Sequence, residues 1–478
     1  MPRRTTAALL CVALCMGGVG CGSGGTTHDP GGPDPDSRAA PAPAAAGPLT
    51  PGDTPSGPQP GEPIRGGAID GGLAPGGPSA SDGAAAWEPL DAATPADAGS
   101  DAGAATAEAG RRTDCDDAAS FDARVTQQGQ QWVAERNGAE LYRGDDMMDA
   151  MQAALDGLTP GRAEIESVVV CGSGQVGPHD YAWTGDVKAV DLPSYSRLDV
   201  RGTIDVRDEG EGVIVPLRCL QQHHVQVDNL RVTGNPRYAV WLQSCDDVEL
   251  GEIEISLSNV LTIGHGIRID AARGPRSERV VLRRAVVEGT GTHGVETYGV
   301  DGIEIGEVRA RDTGGCGLLL NDTTDAEVGR VEADRAGSGT GYAAFRIANG
   351  AGPGIHVGEV IARGGGRGVF CVSESGGLSV DRVDIQGTES NGILIENCDD
   401  VTIATQAGRV AGADVRIAAR ADLSPTTNVT LQNLRVEDGA LRESPCSGSG
   451  NRAVDNTLVR SALELCAGTE SSGNQVGD

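Results

Sequence analysis

From about residue 113 onward, the chain alternates apolar and polar residues in short runs that are separated by bends, many of them glycines. Five of these runs align on a glycine and a sixth on an alanine, at Gly266, Gly294, Gly317, Ala344, Gly368 and Gly392. The successive spacings are 28, 23, 27, 24 and 24 residues. A repeat of this length is too short for a pair of helices and predicts one coil of a β-solenoid.

Each repeat also contains a second and a third alternating run. After the run at Gly294, Ile303 and Ile305 form one apolar pair, and Val308 and Ala310 form another beyond a bend at Gly306. Three short strands per coil, each with a side-chain period of two, predict an all-β protein folded as a parallel β-helix. In such a stack each coil pairs with the next, so that only the two ends need covers.

The chain between about residues 167 and 428 resembles the right-handed parallel β-helix of the pectate-lyase-like superfamily, the pectin lyase fold. The resemblance implies a helix that caps the first coil, and the segment Asp145–Gly161 has the pattern of an amphipathic helix with Asp145 or Asp146 near its N-cap. Its apolar face carries Met148, Met151 and Leu155. We therefore expect an N-terminal cap over residues 113–166, the β-helix over 167–440 and a disulfide-tied tail over 441–478.

The first 21 residues have the order of a secretory signal: two arginines, an apolar run and then small residues. The segment GGVGC resembles a bacterial lipobox and predicts lipidation of Cys21; the alternative is an ordinary secretory signal. Residues 22–112 are rich in Gly, Pro, Ala and Asp and predict a disordered tether. We expect an exported lipoprotein of the cell envelope, with the outer membrane favoured over the inner because Gly22 is not an aspartate.

The chain of 478 residues has a net charge of −30 and only 3% aromatic residues. This charge argues against nucleic acid as a partner, although a local arginine cluster can still bind an anion. We expect a monomer.

Of the 12 cysteines, nine remain after the signal and Cys21. Residues one coil apart stack within reach of a disulfide, and an exported compartment permits such bonds. The predicted pairs are Cys115–Cys171, Cys219–Cys245, Cys371–Cys398 and Cys446–Cys466. Cys316 is then unpaired, and since there is no CxxC pair we expect no zinc site.

Within the aligned runs, the first and third residues after the glycine are mostly apolar and should face the core. The second and fourth then face outward, and we assume that the glycine bend also turns the preceding residue outward, as required for His265 and His293. Candidate catalytic residues on this face are His293, Glu296, Tyr298 and Asp270. Candidate substrate-binding residues are His265, Arg268, Asn321, Asp322, Arg346, Asn349, Arg367 and Glu374. A plain solvated face with ion pairs such as Arg268–Glu296 is the alternative.

The resemblance implies an enzyme that cleaves an acidic, pectin-like or uronic-acid polysaccharide. A lyase needs an arginine such as Arg268 or Arg346 to neutralise the uronate, and His293 or Tyr298 as base or acid. A hydrolase needs two carboxylates, here Asp270 and Glu296. Calcium is a conceivable cofactor, with Asp270, Glu296 and Asp322 as oxygen donors. C5 epimerisation and a non-catalytic glycan-binding or structural role are the alternatives.

Overall fold

The structure is a computed structural model that describes residues 114–177, 187–207, 213–258, 264–271 and 274–478. The expected signal peptide, the lipidated cysteine and the tether lie outside these residues. The described chain is an all-β parallel β-helix, as the alternating pattern predicts. Within these ranges, no helix is long and apolar enough to cross a membrane.

Three groups of elements follow one another along the chain. The N-terminal group contains a short 3₁₀ helix (Ala118–Ser120), β1 (Ala123–Gln128), β2 (Gln131–Arg136), β3 (Ala139–Gly144), α1 (Met147–Asp156), β4 (Glu166–Cys171), β5 (Gly174–Val176), β6 (Val187–Asp191), β7 (Ser196–Val200), β8 (Ile204–Val206) and β9 (Val213–Leu220). The central group contains β10 (His223–Gly234), β11 (Tyr238–Gln243), β12 (Asp246–Leu257), β13 (His265–Asp270), β14 (Ser277–Glu288), β15 (Val295–Arg311), β16 (Leu318–Asp334), β17 (Ala343–Ala348), β18 (Ile355–Arg363), β19 (Arg367–Val372), β20 (Gly376–Gln386), β21 (Asn391–Glu396), β22 (Asp399–Ala411) and β23 (Asp414–Ala418). The C-terminal group contains β24 (Thr427–Gln432), β25 (Leu434–Glu437), β26 (Ala440–Glu443), β27 (Arg452–Val454), β28 (Thr457–Val459), β29 (Ala462–Glu464), β30 (Glu470–Ser472) and β31 (Gln475–Gly477).

The strands pair in parallel to form three faces, which we call sheets A, B and C. Sheet A contains β6, β9, β11, β13, β17, β19, β21, β23, β26 and β29, with the first residues of β15 and β16 between β13 and β17. Sheet B begins with β4 and β7, and sheet C begins with β5 and β8. The longer strands that follow, such as β10, lie in sheet B in their first part and then bend into sheet C.

The inward positions of sheet A form an apolar ladder. It contains Ile267, Val295, Leu318, Phe345, Val369, Ile393, Val415 and Leu441. All of these side chains are fully buried and belong to one continuous core. Branched aliphatic residues pack well on a pleated surface, so the same residues favour the strand and fill the core.

The cap is a three-stranded antiparallel meander, β1 to β3, followed by α1. Strand β1 also pairs in parallel with β4, so the meander continues into sheet B. Helix α1 is shorter than predicted and ends before Gly157. Its N-cap is Asp146, whose Oδ1 accepts hydrogen bonds from the amides of Met148 at 2.8 Å and Asp149 at 3.2 Å.

The predicted end of the β-helix at residue 440 is wrong. Strands β27 to β31 continue the three parallel sheets, so residues 441–478 form further coils rather than a tail. The register advances by 22 residues from Thr430 to Arg452 and by 18 from Arg452 to Glu470. These coils are shorter than the aligned ones and have three-residue strands, so the glycine alignment does not detect them.

The disulfides join Cys115–Cys171, Cys219–Cys245, Cys371–Cys398 and Cys446–Cys466, as the sequence predicts. Cys316 is the free cysteine of the described chain and is buried. The Cα atoms of Cys219 and Cys245 are 6.4 Å apart, because residues one coil apart occupy neighbouring strands.

On the outside of sheet C, glutamate and arginine alternate from coil to coil at one ladder position. The position holds Glu252, Arg284, Glu307, Arg330, Glu359 and Arg382. Arg330 lies 3.0 Å from Glu359 and 3.8 Å from Glu307. Opposite charges one coil apart attract and like charges repel, so this ladder favours the native register.

Candidate functional site

The polar strip predicted on sheet A is present on its outer face. Its first ladder position holds Trp241, Arg268, Glu296, Leu319, Arg346 and Phe370 in consecutive coils. Two residues further along the strands, the second position holds Gln243, Asp270, Tyr298, Asn321 and Ala348. The predicted neighbours Arg268 and Glu296 are therefore adjacent, and Arg346 lies two coils from Glu296. We call this set of outward residues the strip.

Glu296 is the centre of the strip. Its Oε2 accepts hydrogen bonds from Nε2 of His265 at 3.1 Å and from the guanidinium of Arg268, while Oε1 accepts one from Nδ2 of Asn321 at 3.0 Å. The Glu296 side chain is only 2% exposed. Burial alone would raise the pKa of the Glu296 carboxyl, but the nearby His293, the hydrogen bond from His265 and the charge of Arg268 hold it well below its ordinary value. Glu296 is thus a fixed carboxylate.

Asp270 is held by a similar set of donors. Its Oδ2 accepts hydrogen bonds from Nε1 of Trp241 at 2.9 Å and Nε of Arg268 at 3.0 Å, and its Oδ1 accepts one from Nε2 of Gln243 at 3.2 Å. Arg268 therefore bridges the two buried carboxylates of the strip. Its charge is shared between them, so it does not offer an uncompensated charge to a ligand.

Both histidines face outward, which confirms that the glycine bend changes the side-chain alternation. His265 contacts the outward residue Glu296, and its ring centroid lies 5.7 Å from that of His293. Both bends require glycine for a steric reason. A Cβ on Gly266 would lie 2.2 Å from the carbonyl oxygen of Gly294, so only glycine allows the coils to approach this closely.

The two imidazoles are neutral. Burial lowers the pKa of His265, and the opposing effect of its hydrogen bond to Glu296 does not restore it. Burial also lowers the pKa of His293 to about 4. Nδ1 of His293 accepts a hydrogen bond of 2.8 Å from the backbone amide of Cys316. A neutral ring that accepts at Nδ1 carries its proton on Nε2, so His293 presents an N–H donor at its other nitrogen.

Arg346 differs from Arg268 because no counter-ion accompanies it. It is 4% exposed, and its Nε is buried without a hydrogen-bond partner in the described part of the chain. Its guanidinium carbon lies 5.3 Å from the ring centroid of Tyr342 and 4.7 Å from that of Phe370. Among the described residues, no carboxylate forms an ion pair with it. The strip therefore contains a buried cation that, in the described part of the chain, is in contact with aromatic rings and not with a carboxylate.

Asn349 and Arg367 extend the strip at its edges. Nδ2 of Asn349 donates to Oδ1 of Asn321 at 3.0 Å, so Asn349 belongs to the same hydrogen-bond network as Glu296. The guanidinium carbon of Arg367 lies 4.7 Å from the Phe370 ring centroid, on the ring that also contacts Arg346.

Three predicted residues lie at the periphery. Tyr298 is 40% exposed, which makes it the most accessible candidate for proton transfer. Asp322 lies inside β16, at a bend with a positive φ of 42°, and binds Arg276 at 2.7 Å rather than a residue of the strip. Glu374 is exposed and accepts a hydrogen bond of 2.9 Å from Ser424. The sequence alone does not reveal these contacts.

Sequence reasoning missed the aromatic end of the strip. Trp241 donates to Asp270, and Tyr238 stacks on Trp241 with ring centroids 4.7 Å apart. The run that contains them, YAVWLQ, has Ala239 where the aligned runs have glycine. Alanine also stands at this position in the aligned run at Ala344. Aligning Ala239 in the same way would have placed Trp241 on the outer face of sheet A.

The buried residues do not form a suitable site for a metal. One ligand atom from each of His265, His293 and Glu296 lies within 4.8 Å of the others, a donor set that zinc can use. The Cys316 amide, however, places the His293 proton on Nε2, so that neither nitrogen of the ring has a lone pair for a metal. Calcium fits no better, because N–H donors surround Glu296 and the carboxylate of Asp270.

No family model matches this sequence, and no curated protein matches it. Two solved structures are similar, both A-modules of mannuronan C-5 epimerases of Azotobacter vinelandii. The AlgE6 A-module has a TM-score of 0.41 and 15% identity, over 69% of this chain and 94% of that one. The AlgE4 A-module has a TM-score of 0.30 and 12% identity, over 69% of this chain and 92% of that one. The fold is established by the strand pairing itself.

Proposed function

We propose that this chain is a carbohydrate-active enzyme that binds an acidic, uronic-acid-containing polysaccharide along the strip and cleaves it. The observation that carries the proposal is the buried guanidinium of Arg346, which has no counter-ion among the described residues. Placing an unpaired charge inside a protein is unfavourable. A bound carboxylate would provide the missing counter-ion.

The ionisation of the strip favours elimination over hydrolysis. A hydrolase with two carboxylates needs one of them protonated as general acid. The pKa of Glu296 is low because its neighbours stabilise the anion, and Asp270 accepts three hydrogen bonds from side-chain donors. Glu296 is therefore not suited to act as the general acid near neutral pH.

In the proposed elimination, Arg346 neutralises the uronate carboxylate and so acidifies the neighbouring C5 proton. A base removes this proton, the C4–O bond breaks, a C4=C5 double bond forms, and the leaving oxygen takes up a proton. Tyr298 is our candidate for proton transfer because it is the accessible group of the strip. Glu296 and Arg268 fix the surrounding side chains. C5 epimerisation shares the first step and differs in returning the proton to the opposite face.

A non-catalytic glycan-binding role is the second candidate. One observation favours it: both oxygens of each buried carboxylate accept hydrogen bonds from protein donors, as expected for a rigid binding surface. Such a protein would bind uronate polymers through Arg346 and would leave them unchanged.

The test uses purified protein and a panel of uronate and neutral polysaccharides. Lyase action gives unsaturated products that absorb in the ultraviolet, hydrolysis gives reducing ends without unsaturation, and epimerisation changes the sugar composition without shortening the chain. We expect unsaturated products from a uronate polymer and at least a tenfold loss of activity in Arg346→Gln. Arg382→Gln, on the outside of sheet C, is the matched control. Full activity of Arg346→Gln would exclude the proposed role, and binding without product would favour the second candidate.

Export and lipid anchoring complete the proposal. The signal-like N-terminus and Cys21 support them, and four disulfides suit an oxidising compartment. We propose a monomer anchored to the outer membrane through Cys21. In the producing cell, Cys21→Ser should move the protein from the membrane to the soluble fraction, whereas an unchanged distribution would contradict the anchor.

A further inference from the structure

We propose that the backbone amide of Cys316 and the bare Cα of Gly315 are positioning elements that lock His293 as a hydrogen-bond donor in the strip. The donor is Nε2–H, and the ligand group it fits is an anionic acceptor such as a carboxylate. The inference about the ligand rests on the proposed function, whereas the inference about the tautomer does not.

The amide fixes the tautomer. The 2.8 Å hydrogen bond from the Cys316 amide to Nδ1 of His293 requires a lone pair on Nδ1, because a backbone N–H can only donate. The opposite tautomer would set two N–H groups against each other. Any residue except proline supplies the same amide, so the identity of the Cys316 side chain is immaterial to this role.

Glycine at position 315 is what allows the ring to lie there. A Cβ on Gly315 would lie 2.4 Å from Nδ1 and 2.6 Å from Cε1 of His293, closer than atoms can approach. Gly315 does not have a left-handed backbone, so its conformation alone would allow other residues. Glycine is therefore required at position 315 by the position of the His293 ring and not by the backbone conformation of the turn.

The surroundings keep the ring neutral. Burial disfavours the imidazolium, and the charge of Glu296 favours it. His265, Arg346 and Arg268 oppose it. The Tyr342 ring meets His293 edge to face at 5.0 Å. His293 is therefore held as a neutral donor over the ordinary working pH range.

The tautomer has a consequence for the ligand. His293 and Arg346 both contact the ring of Tyr342. The centroid of that ring lies 5.0 Å from the His293 ring centroid and 5.3 Å from the guanidinium carbon of Arg346. The Nε2–H of His293 and the guanidinium of Arg346 therefore offer a ligand hydrogen-bond donors beside one aromatic side chain. Such a pair recognises a group that can only accept, which a carboxylate does and a neutral hydroxyl does less well.

The tautomer is measured by nitrogen NMR on the full-length protein labelled at its histidines. With 7 histidines in the chain, the His293 signal can be assigned from its loss in His293→Asn. We expect an unprotonated Nδ1 and a protonated Nε2 from neutral pH down to mildly acidic pH. An Nδ1-protonated or doubly protonated ring at neutral pH would overturn the proposal, whether or not any variant folds.

Two variants add the functional readout. Gly315→Ala should change the His293 signals and reduce activity on a uronate polymer at least tenfold. Gly468→Ala is the matched glycine control and should keep both, since a Cβ there meets nothing within 4 Å. Unchanged His293 signals in Gly315→Ala would refute the proposal. The expected tautomer in a protein that leaves every polysaccharide intact would instead contradict the proposed function alone.

Discussion

Acid should destabilise this protein through His293, and the size of the effect follows from the structure. Burial lowers the pKa of His293 from its ordinary 6.5 to about 4. Between these two pKa values, His293 is protonated in the unfolded state but not in the folded state. The free energy of unfolding is therefore unaffected by protonation of His293 above pH 6.5 and decreases as the pH falls toward 4. One pKa unit corresponds to about 1.4 kcal/mol, so the full contribution is about 3 kcal/mol, of which about 2 kcal/mol is lost by about pH 5.

The matched variant is His293→Asn. Its side-chain oxygen can accept the hydrogen bond from the Cys316 amide in place of Nδ1, but it does not titrate. Urea unfolding, followed by circular dichroism at a series of pH values, gives the midpoint and slope for both proteins. Carboxylates away from the strip are common to both proteins, so the difference between the two curves reports His293 together with its coupled neighbours Glu296 and His265. Parallel curves between pH 7 and about pH 4.5 would refute the burial argument.

Three further predictions concern the scaffold. Phe345→Ala should lower the free energy of unfolding by about 3–5 kcal/mol in urea unfolding, because it opens a cavity at a fully buried position; a loss below about 1 kcal/mol would contradict the core assignment. Arg330→Glu should destabilise more than Arg330→Ala, and the difference should shrink in high salt, because it creates like charges in the ladder of sheet C. Replacing both Cys371 and Cys398 by alanine should cost about 2–4 kcal/mol, whereas reduction without loss of stability would show that this bond is dispensable.

The sequence predicts the coils well wherever their bends need glycine. Gly266 must be glycine because the next coil passes within 2.2 Å of its would-be Cβ, so the requirement appears directly as a repeat. The coil at Ala239 lacks this marker and is missing from the glycine alignment, although it falls within the predicted β-helix, and the last coils lie beyond its predicted end. A bend that tolerates other residues leaves little trace in a single sequence.

The candidate site is predicted only in part. Alternation correctly places Arg268 beside Glu296, because ladder neighbours follow from spacing alone. Whether an arginine is paired depends on side-chain geometry, and nothing in the spacing distinguishes Arg268, bound to two carboxylates, from Arg346, bound to none. The role of the Cys316 amide was equally invisible, because a backbone group leaves no sequence signature.

The chain of hydrogen bonds from Asn349 through Asn321 to Glu296 has a direction. A carboxylate can only accept, so Asn321 must turn its NH₂ toward Glu296 and its carbonyl toward Asn349, which must then turn its own NH₂ inward. One charge thereby sets the polarity of two amides in successive coils. In Glu296→Gln the end of the chain could both donate and accept, and both amides could reverse together. The strip therefore transmits orientation along the solenoid axis without any movement of the backbone.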